Sequence, residues 1–428
     1  MKNFFKKAKS IHFIGIGGIG ISAVARMFLL ENKKVSGSDI SESKVVKELK
    51  KFDAKIFIGH LASNIPKNID LIIYTTAITQ DNPELIEAKK RKIKIFTYPE
   101  SLKEISKNKF TIAISGTHGK TTTTAMIAKI MIDAGLDPTV IVGSFLKDYE
   151  SNFIAGKSKY FVVEACEYRK SFLNIKPTIA LITNIDNDHL DFYKDIEDIQ
   201  CAFKEFALQI KKGGHLIINI KKNIFNLENL KTNIIHSKNY FENKLKLKAP
   251  GKHNKENASF AFAVADILGI DKMKARKSLE DFSGTWRRFE YKGKTKSGAL
   301  VYDDYAHHPT EIKATLSGTR EFFGKKKIFV VFQPHLYSRT KILLNDFAKV
   351  FKDADEIVLA PIYAAREKFD SSISSEILVK KTKNTKAISL NNFDEIEKYL
   401  LKKLKKENVL ITIGAGDVYK IGEKLVWN

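Results

Sequence analysis

The segment Gly116-Thr117-His118-Gly119-Lys120-Thr121-Thr122 constrains this chain more than any other part of it. It follows the apolar run Phe110–Ser115 and precedes a stretch of Thr, Ala, Met and Ile, so it reads as a loop joining a buried strand to a helix. Glycines in such a loop let backbone N–H groups close on phosphate oxygens at a helix N-terminus. A lysine there reaches the β- and γ-phosphates, and the hydroxyl that follows suits Mg²⁺. The spacing is G-x-x-G-K-T, shorter than the strict G-x-x-x-x-G-K-[ST], which would need glycine where Ile114 stands. ATP is the nucleotide expected at Gly116, Thr117, His118, Gly119, Lys120, Thr121 and Thr122. A phosphate loop of this kind belongs to an α/β sheet with mainly parallel strands.

The remaining pattern agrees. Apolar runs of four to six residues alternate with helical stretches, which is how parallel strands buried on both faces read. The chain, at 428 residues, is long for one domain. Three blocks are expected. Residues 1–107 carry runs at 11–14 and 71–75, residues 108–284 runs at 110–115, 160–164, 179–184 and 215–220, and residues 285–428 runs at 300–303, 327–332, 356–359 and 409–413. The Lys- and Asn-rich stretch 221–248 is the least patterned.

A second glycine loop, Gly15-Ile16-Gly17-Gly18-Ile19-Gly20, lies between a strand and a helix, with Asp39 about 20 residues on. NAD is the first reading, but any nucleotide diphosphate fits the same geometry, with Asp39 on a ribose hydroxyl. Two nucleotide loops in successive α/β blocks favour a transferase or ligase over a dehydrogenase.

Other chemistry gathers at strand ends, where ligands of such sheets sit. The strand ending Val162-Val163-Glu164 leads to Glu167. Asn184-Ile185-Asp186-Asn187-Asp188-His189-Leu190-Asp191 follows another strand. Carboxylates and an imidazole beside a triphosphate suit Mg²⁺, and Glu164 and His189 are the expected ligands. Asp186, Asp188 and Asp191 serve equally well as loop or capping residues. Asn254 and Asn257 sit in a turn before an Ala-rich helix. Trp286-Arg287-Arg288-Phe289, Asp303-Asp304-Tyr305-Ala306-His307-His308-Pro309 and Gln333-Pro334-His335-Leu336-Tyr337-Ser338-Arg339 read as a substrate face, with Arg339 placed to fork a small carboxylate.

The net charge of +24 raises the question of nucleic acid, but only nine of the 73 basic residues are arginine, and base- and phosphate-reading surfaces favour arginine. Scattered lysine reads as solvated surface, useful to an enzyme of anionic substrates. No run of apolar residues is long enough to cross a bilayer. Cys166 and Cys201 make neither a disulfide framework nor a metal spacing, which suits a reducing cytoplasm.

Taken in order, these segments resemble the Mur ligase family over nearly the whole chain. The matching segments are 15–20, 75–78 with Asn82-Pro83-Glu84, 116–124, 164–168, 184–191, 251–257, 287–289, 303–311, 333–340, 360–367 and 414–419. The resemblance implies three α/β domains: a Rossmann-like UDP-binding domain, a central P-loop ATPase-like domain and a C-terminal Rossmann-like domain. It implies ATP-dependent ligation of L-alanine to the lactyl carboxylate of UDP-N-acetylmuramic acid through an acyl phosphate, in a cytoplasmic monomer or homodimer with two Mg²⁺ and no nucleic acid or membrane partner. Gly15, Gly17, Gly18, Gly20, Asp39, His60, Thr75 and Thr76 would then hold the UDP-sugar rather than NAD. Lys120 would act on the ATP phosphates, Thr121, Glu164 and His189 on the metal, and Asn254 and Asn257 on adenine. Arg288 and Asp304 would close the third domain on ATP, and His307, Tyr337 and Arg339 would take the amino acid. Leu336 stands where some relatives carry arginine, and Cys166 where aspartate is frequent. Two rivals remain, a recycling ligase that adds a tripeptide to the same sugar and an NAD-dependent oxidoreductase.

Overall fold

The computed structural model describes residues 4–190, 192–219, 232–365, 367–382 and 386–427, so Asp191, Arg366 and the start of the Lys/Asn-rich stretch lie outside the described residues. Three sheets follow one another along the chain. The first comprises β1 (Ser10–Ile14), β2 (Lys34–Asp39), β3 (Lys55–Ile58), β4 (Leu71–Tyr74) and β5 (Lys94–Thr97), all parallel, in the order β3-β2-β1-β4-β5. The order reverses beside β1, and the glycine loop leaves from its carboxyl end, the crevice where such folds bind ligands.

The second sheet contains β6 (Phe110–Ser115), β7 (Thr139–Leu146), β8 (Ser151–Ile154), β9 (Tyr160–Glu164), β10 (Ile179–Ile182), β11 (His215–Ile218) and β12 (Asn233–His236). Its order is β12-β11-β10-β6-β9-β7-β8, with only the β7–β8 pair antiparallel. The strand feeding the phosphate loop, β6, therefore lies between β10 and β9, and the loops after all three open at one edge. The third sheet is formed by β13 (Glu290–Lys294), β14 (Leu300–Asp304), β15 (Ile328–Phe332), β16 (Glu356–Leu359), β17 (Ala387–Ser389) and β18 (Val409–Ile413), ordered β13-β14-β18-β15-β16-β17 and parallel except at β13–β14.

The third sheet shows why its strands read as unbroken apolar runs. Val409, Ile411 and Ile413 pack into a core on one face with Ile328, Val330 and Phe332, while Leu410, Phe329 and Val331 pack into a core on the other. With both faces buried, no polar residue marks a solvent side.

The chain forms two compact units. The first takes Met1–Asn187, Asp195–Phe241 and Asn257–Leu279, and the second Asp188–Lys194, Glu242–Glu256 and Glu280–Asn428. The first two sheets share a unit because elements of one hold the other. Asn152 at the start of β8 donates through its amide to the carbonyl of Ile19 and to Ser22 Oγ (2.9 Å), both in the helix Ile19–Leu30 that follows the first glycine loop. Among the described residues no helix is long and apolar enough to cross a membrane.

One local expectation is corrected. Asn254 and Asn257 lie within the first turns of the helix Lys252–Ile267, not in a turn ahead of it. Gly251, at φ +100°, ends the preceding loop, so helical geometry begins earlier than the Asn-rich composition suggests.

Candidate active site

In the first unit, the phosphate loop leaves β6 at Gly116 (φ +128°) and enters the helix Lys120–Asp133 through Gly119 (φ +83°), which has the left-handed geometry that only glycine adopts cheaply. A Cβ on Gly119 would meet the amide of Asn257, so Asn257 lies against the loop. The loop is braced by the segment after β10. Thr117 N–H donates to the Asn184 carbonyl (3.1 Å), His118 N–H to Asn184 Oδ1 (2.9 Å), and Thr183 Oγ1 to the His118 carbonyl (2.6 Å). His118 Nε2 lies 3.0 Å from Asp186 Oδ2.

Lys120 folds back over the loop. Its ammonium donates to the carbonyls of Gly116 (2.6 Å) and Thr117 (3.0 Å) and to Glu167 Oε1 (2.9 Å), whose side chain is 2% exposed. Burial alone would lower the lysine pKa, but the charges of Glu167 and Glu164 outweigh it and hold Lys120 firmly protonated. Thr121 Oγ1 donates to Glu164 Oε1 (3.0 Å), and Gly143 N–H donates to Glu164 Oε2 (2.7 Å). A cationic tip, a hydroxyl and a carboxylate thus converge where the loop amides end.

At the first glycine loop the amides of Gly15 and Ile16 donate to the Ser38 carbonyl (2.9 and 3.0 Å), and Gly17 N–H donates to Asp39 Oδ2 (2.8 Å). A Cβ on Gly15 would strike Thr75, and one on Gly20 would lie 2.7 Å from the Tyr98 ring, so both approaches require glycine. Gly18 precedes the first residue of the helix without a side-chain cap, leaving its turn open to a ligand anion. Thr76 offers its carbonyl to Arg169 (3.4 Å), and His60 joins Ser38 Oγ at 3.0 Å. The structure thus gathers Gly15, Gly17, Gly18, Gly20, Asp39, His60, Thr75 and Thr76 around the carboxyl ends of the first sheet.

In the second unit, His307, Arg339, Asp188 and His189 form one cluster. Arg339 donates from Nη2 to Asp188 Oδ1 (2.9 Å), and its Nη1 lies 3.1 Å from His335 Nδ1. Asp188 also accepts from the His189 N–H (2.7 Å). Burial would raise Asp188, yet the neighbouring His189, Arg339 and His307 hold it far below the usual carboxylate range. His307 Nδ1 meets the Tyr305 carbonyl at 3.0 Å. A carbonyl only accepts, so the proton sits on Nδ1 and Nε2 keeps its lone pair. Burial, opposed by Glu311, lowers His307 to about 4, so the ring is neutral near pH 7. His189 (φ +54°) and Leu336 (φ +69°) both hold left-handed backbone, the kind of strain that concentrates at functional sites.

Asp304 accepts from the amides of Phe289 (2.7 Å) and Ala306 (2.8 Å), and burial pushes it up to about 6 against the opposing charge of Arg288. Arg288 itself lies 3.9 Å from Glu311 and over the Tyr305 ring, so it reaches Asp304 through its field rather than through a direct contact. Asn254 turns its amide to the Pro250 carbonyl (2.8 Å) within this unit. Tyr337 begins the short helix Tyr337–Ile342 that presents Arg339.

Several residues of these clusters carried no assigned role in the sequence. Glu167 was visible as the second of two carboxylates after β9, but its pairing with Lys120 depends on a turn three residues long. Arg287, 3% exposed, donates to Asp303 (2.7 Å) and to the Gly416 carbonyl (2.9 Å), tying β14 to the loop after β18. Only its position beside Arg288 singled it out.

Family descriptions match three successive stretches that together take in most of the chain. Residues 10–110 match the Mur ligase family catalytic domain, 114–237 the Mur ligase middle domain, and 287–416 the Mur ligase glutamate ligase domain. Among curated relatives, the UDP-N-acetylmuramate--L-alanine ligase of Clostridium tetani is 45% identical over 98% of each chain. That of Clostridium acetobutylicum is 44% identical over 97% of each. The solved UDP-N-acetylmuramate-alanine ligase of Thermotoga maritima superposes with a TM-score of 0.82 at 29% identity, covering 97% of this chain and 98% of that one. A murein peptide ligase from Psychrobacter arcticus shares the fold, with a TM-score of 0.71 at 23% identity and coverage of 97% and 98%.

Proposed function

The chain belongs to the Mur ligase family, and we propose that it joins L-alanine to the lactyl carboxylate of UDP-N-acetylmuramic acid at the expense of ATP, as a step in peptidoglycan precursor synthesis in the cytoplasm. The observation that carries this reading is the 45% identity to an alanine ligase across 98% of both chains, together with two glycine loops in one compact unit. The relatedness to alanine ligases over the whole chain favours a UDP-sugar over NAD at the Gly15–Gly20 loop. The functional domains are 1–107 for the UDP-sugar, 108–284 for ATP and 285–428 for the amino acid.

A carboxylate is a poor electrophile at neutral pH, so the amide requires activation. The lactyl carboxylate attacks the γ-phosphorus of ATP, giving an acyl phosphate and ADP. The amine of alanine then attacks the acyl carbon, and phosphate leaves. Two anions must meet in the first step. Lys120 supplies positive charge to the transferring phosphoryl group once it leaves its two loop carbonyls, with Glu167 keeping the ammonium protonated and in place. Asn257, beside Gly119, and Asn254 serve the adenine side, and Arg288 and Asp304 the closing of the third domain on ATP. His307 offers a bare Nε2 to the incoming ammonium as acceptor or base. Arg339, already shaped around one carboxylate oxygen, takes the carboxylate of the amino acid.

The donor set fits a hard cation. Thr121 and Glu164 place a hydroxyl and a carboxylate oxygen 3.0 Å apart, the oxygen chemistry Mg²⁺ requires. Thr121 and Glu164 would hold one ion and His189 would serve a second. Bound Mg²⁺ neutralises phosphate charge.

The reading is tested by phosphate release with UDP-N-acetylmuramic acid, ATP and, in turn, alanine, serine, glycine and a free tripeptide that begins with L-alanine. Turnover with alanine supports it. Turnover with the tripeptide alone, or nicotinamide binding without ATP consumption, overturns it.

A further inference from the structure

Behind the first glycine loop lies a buried polar cluster that the ligation chemistry does not use. Glu84, in the first turn of the helix Pro83–Lys90, is 0% exposed. Its Oε2 accepts from Ser38 Oγ (2.7 Å) and its Oε1 from Asn64 Nδ2 (2.8 Å), while His12 Nε2 lies 3.3 Å from Oε2. His12 Nδ1 in turn meets Ser36 Oγ at 2.9 Å. Among the described residues no lysine or arginine forms an ion pair with Glu84; its ion-pair partners are the imidazoles of His12 and, at 3.7 Å, His60. A carboxylate buried without a full cation survives only when its lone pairs are satisfied. Burial here would raise its pKa, and hydrogen bonds from His12, Ser38 and Asn64 reverse that and keep it ionised.

Counting protons fixes the direction of the relay. An ionised carboxylate only accepts, so the single hydroxyl proton of Ser38 goes to Glu84. Ser38 Oγ must then accept in its 3.0 Å contact with His60 Nδ1. His60 therefore carries a proton on Nδ1, and in that Nδ1–H tautomer Nε2 is an acceptor, on a side chain that is 14% exposed. The backbone carbonyl of the same Ser38 receives the Gly15 and Ile16 amides. One residue thus sets both the loop backbone and the imidazole.

We propose that Glu84 and Ser38 are positioning residues that lock His60 as the Nδ1–H tautomer, so that Nε2 accepts a hydrogen bond from an N–H or O–H group of the nucleotide half of the UDP-sugar. The role rests on the reading of His60 as a contact on the UDP-sugar side. UDP offers two such donors, the uracil imide N–H and the ribose hydroxyls. In Glu84→Gln the side-chain amide can donate to Ser38, which then turns its proton toward His60 Nδ1 and makes Nε2 a donor. Ser38→Ala removes the relay while deleting one hydroxyl, and so guards against a folding failure in the first variant.

The test uses the full chain in two measurements. Nitrogen-15 imidazole NMR at pH 8, with His60 assigned by its disappearance in His60→Asn, reads the tautomer. Calorimetry with UDP, N3-methyl-UDP and 2′-deoxy-UDP reads the donor. Wild type should show the proton on His60 Nδ1, and both relay variants should lose that signature and bind UDP about tenfold more weakly, with the KM for ATP unchanged. Whichever of the two analogues binds wild type as weakly as the relay variants bind UDP identifies the donor group. A wild-type proton on Nε2 overturns the proposal directly. The Nδ1–H tautomer in a protein whose UDP affinity is unchanged by His60→Asn overturns instead the placement of His60 at the nucleotide. In that case alanine-dependent phosphate release still stands on its own.

Discussion

Replacing Lys120 with methionine separates two roles that one side chain combines. Methionine keeps much of the lysine stem and removes the charge. The side chain of Lys120 is 14% exposed, and its ammonium lies 2.9 Å from Glu167, whose side chain is 2% exposed. Deleting one member of a fully buried pair costs about 3–5 kcal/mol, because the survivor stays buried and uncompensated. Partial solvation of the lysine tip discounts this to about 2–3 kcal/mol. In a unit of this size, that lowers the unfolding midpoint by about 5 °C. Turnover should fall by about 10³-fold or more, since a cation aimed at the transferring phosphoryl group is gone. The double variant Lys120→Met/Glu167→Gln should recover most of the lost stability and none of the lost activity. Ligand-free calorimetry and phosphate release read the two effects separately. A Lys120→Met protein as stable as wild type would refute the buried pair, and an active double variant would refute the catalytic assignment.

Other consequences are smaller and equally specific. Arg339→Ala should raise the KM for alanine about tenfold or more while leaving that for ATP nearly unchanged; an equal rise in both would remove Arg339 from the amino-acid site. His189→Ala should shift the Mg²⁺ titration of activity to higher concentration, and an unshifted titration would deny it a ligand role. His307→Asn should lower kcat by about 10²-fold or more, and because burial holds His307 down at about 4, the wild-type rate should show no His307 titration between pH 6 and 8. Asp304 is raised to about 6 in the folded chain. A raised acid contributes stability that is complete below its unfolded pKa and is lost as pH rises through the folded value. The stability of wild type relative to Asp304→Asn should therefore improve by roughly 2 kcal/mol as pH falls from 8 to 4; a pH-independent difference would contradict the burial of that carboxylate.

The order of strands and helices, the two glycine loops and the placement of Lys120, Thr121 and Glu164 at strand and helix ends beside one of them were legible in the sequence, because each rests on neighbours in the chain. An apolar run, a glycine pair and a following hydroxyl are local patterns, and local sterics enforce them. Tertiary structure decided the partners. Glu84 reads as an ordinary first-turn acid in Asn82-Pro83-Glu84, yet folding buries it among side chains from β1, β2 and the segments after β3. Asp188, equally a loop residue or a ligand on composition, becomes the counter-charge of Arg339, 151 positions away. Asn254 and Asn257 looked like turn formers and lie in a helix, because the packing of the apolar face of Lys252–Ile267 outweighs the local preference of asparagine. Whether a polar side chain is solvated, paired or aimed at a substrate depends on what the rest of the chain packs around it, and no local pattern records that.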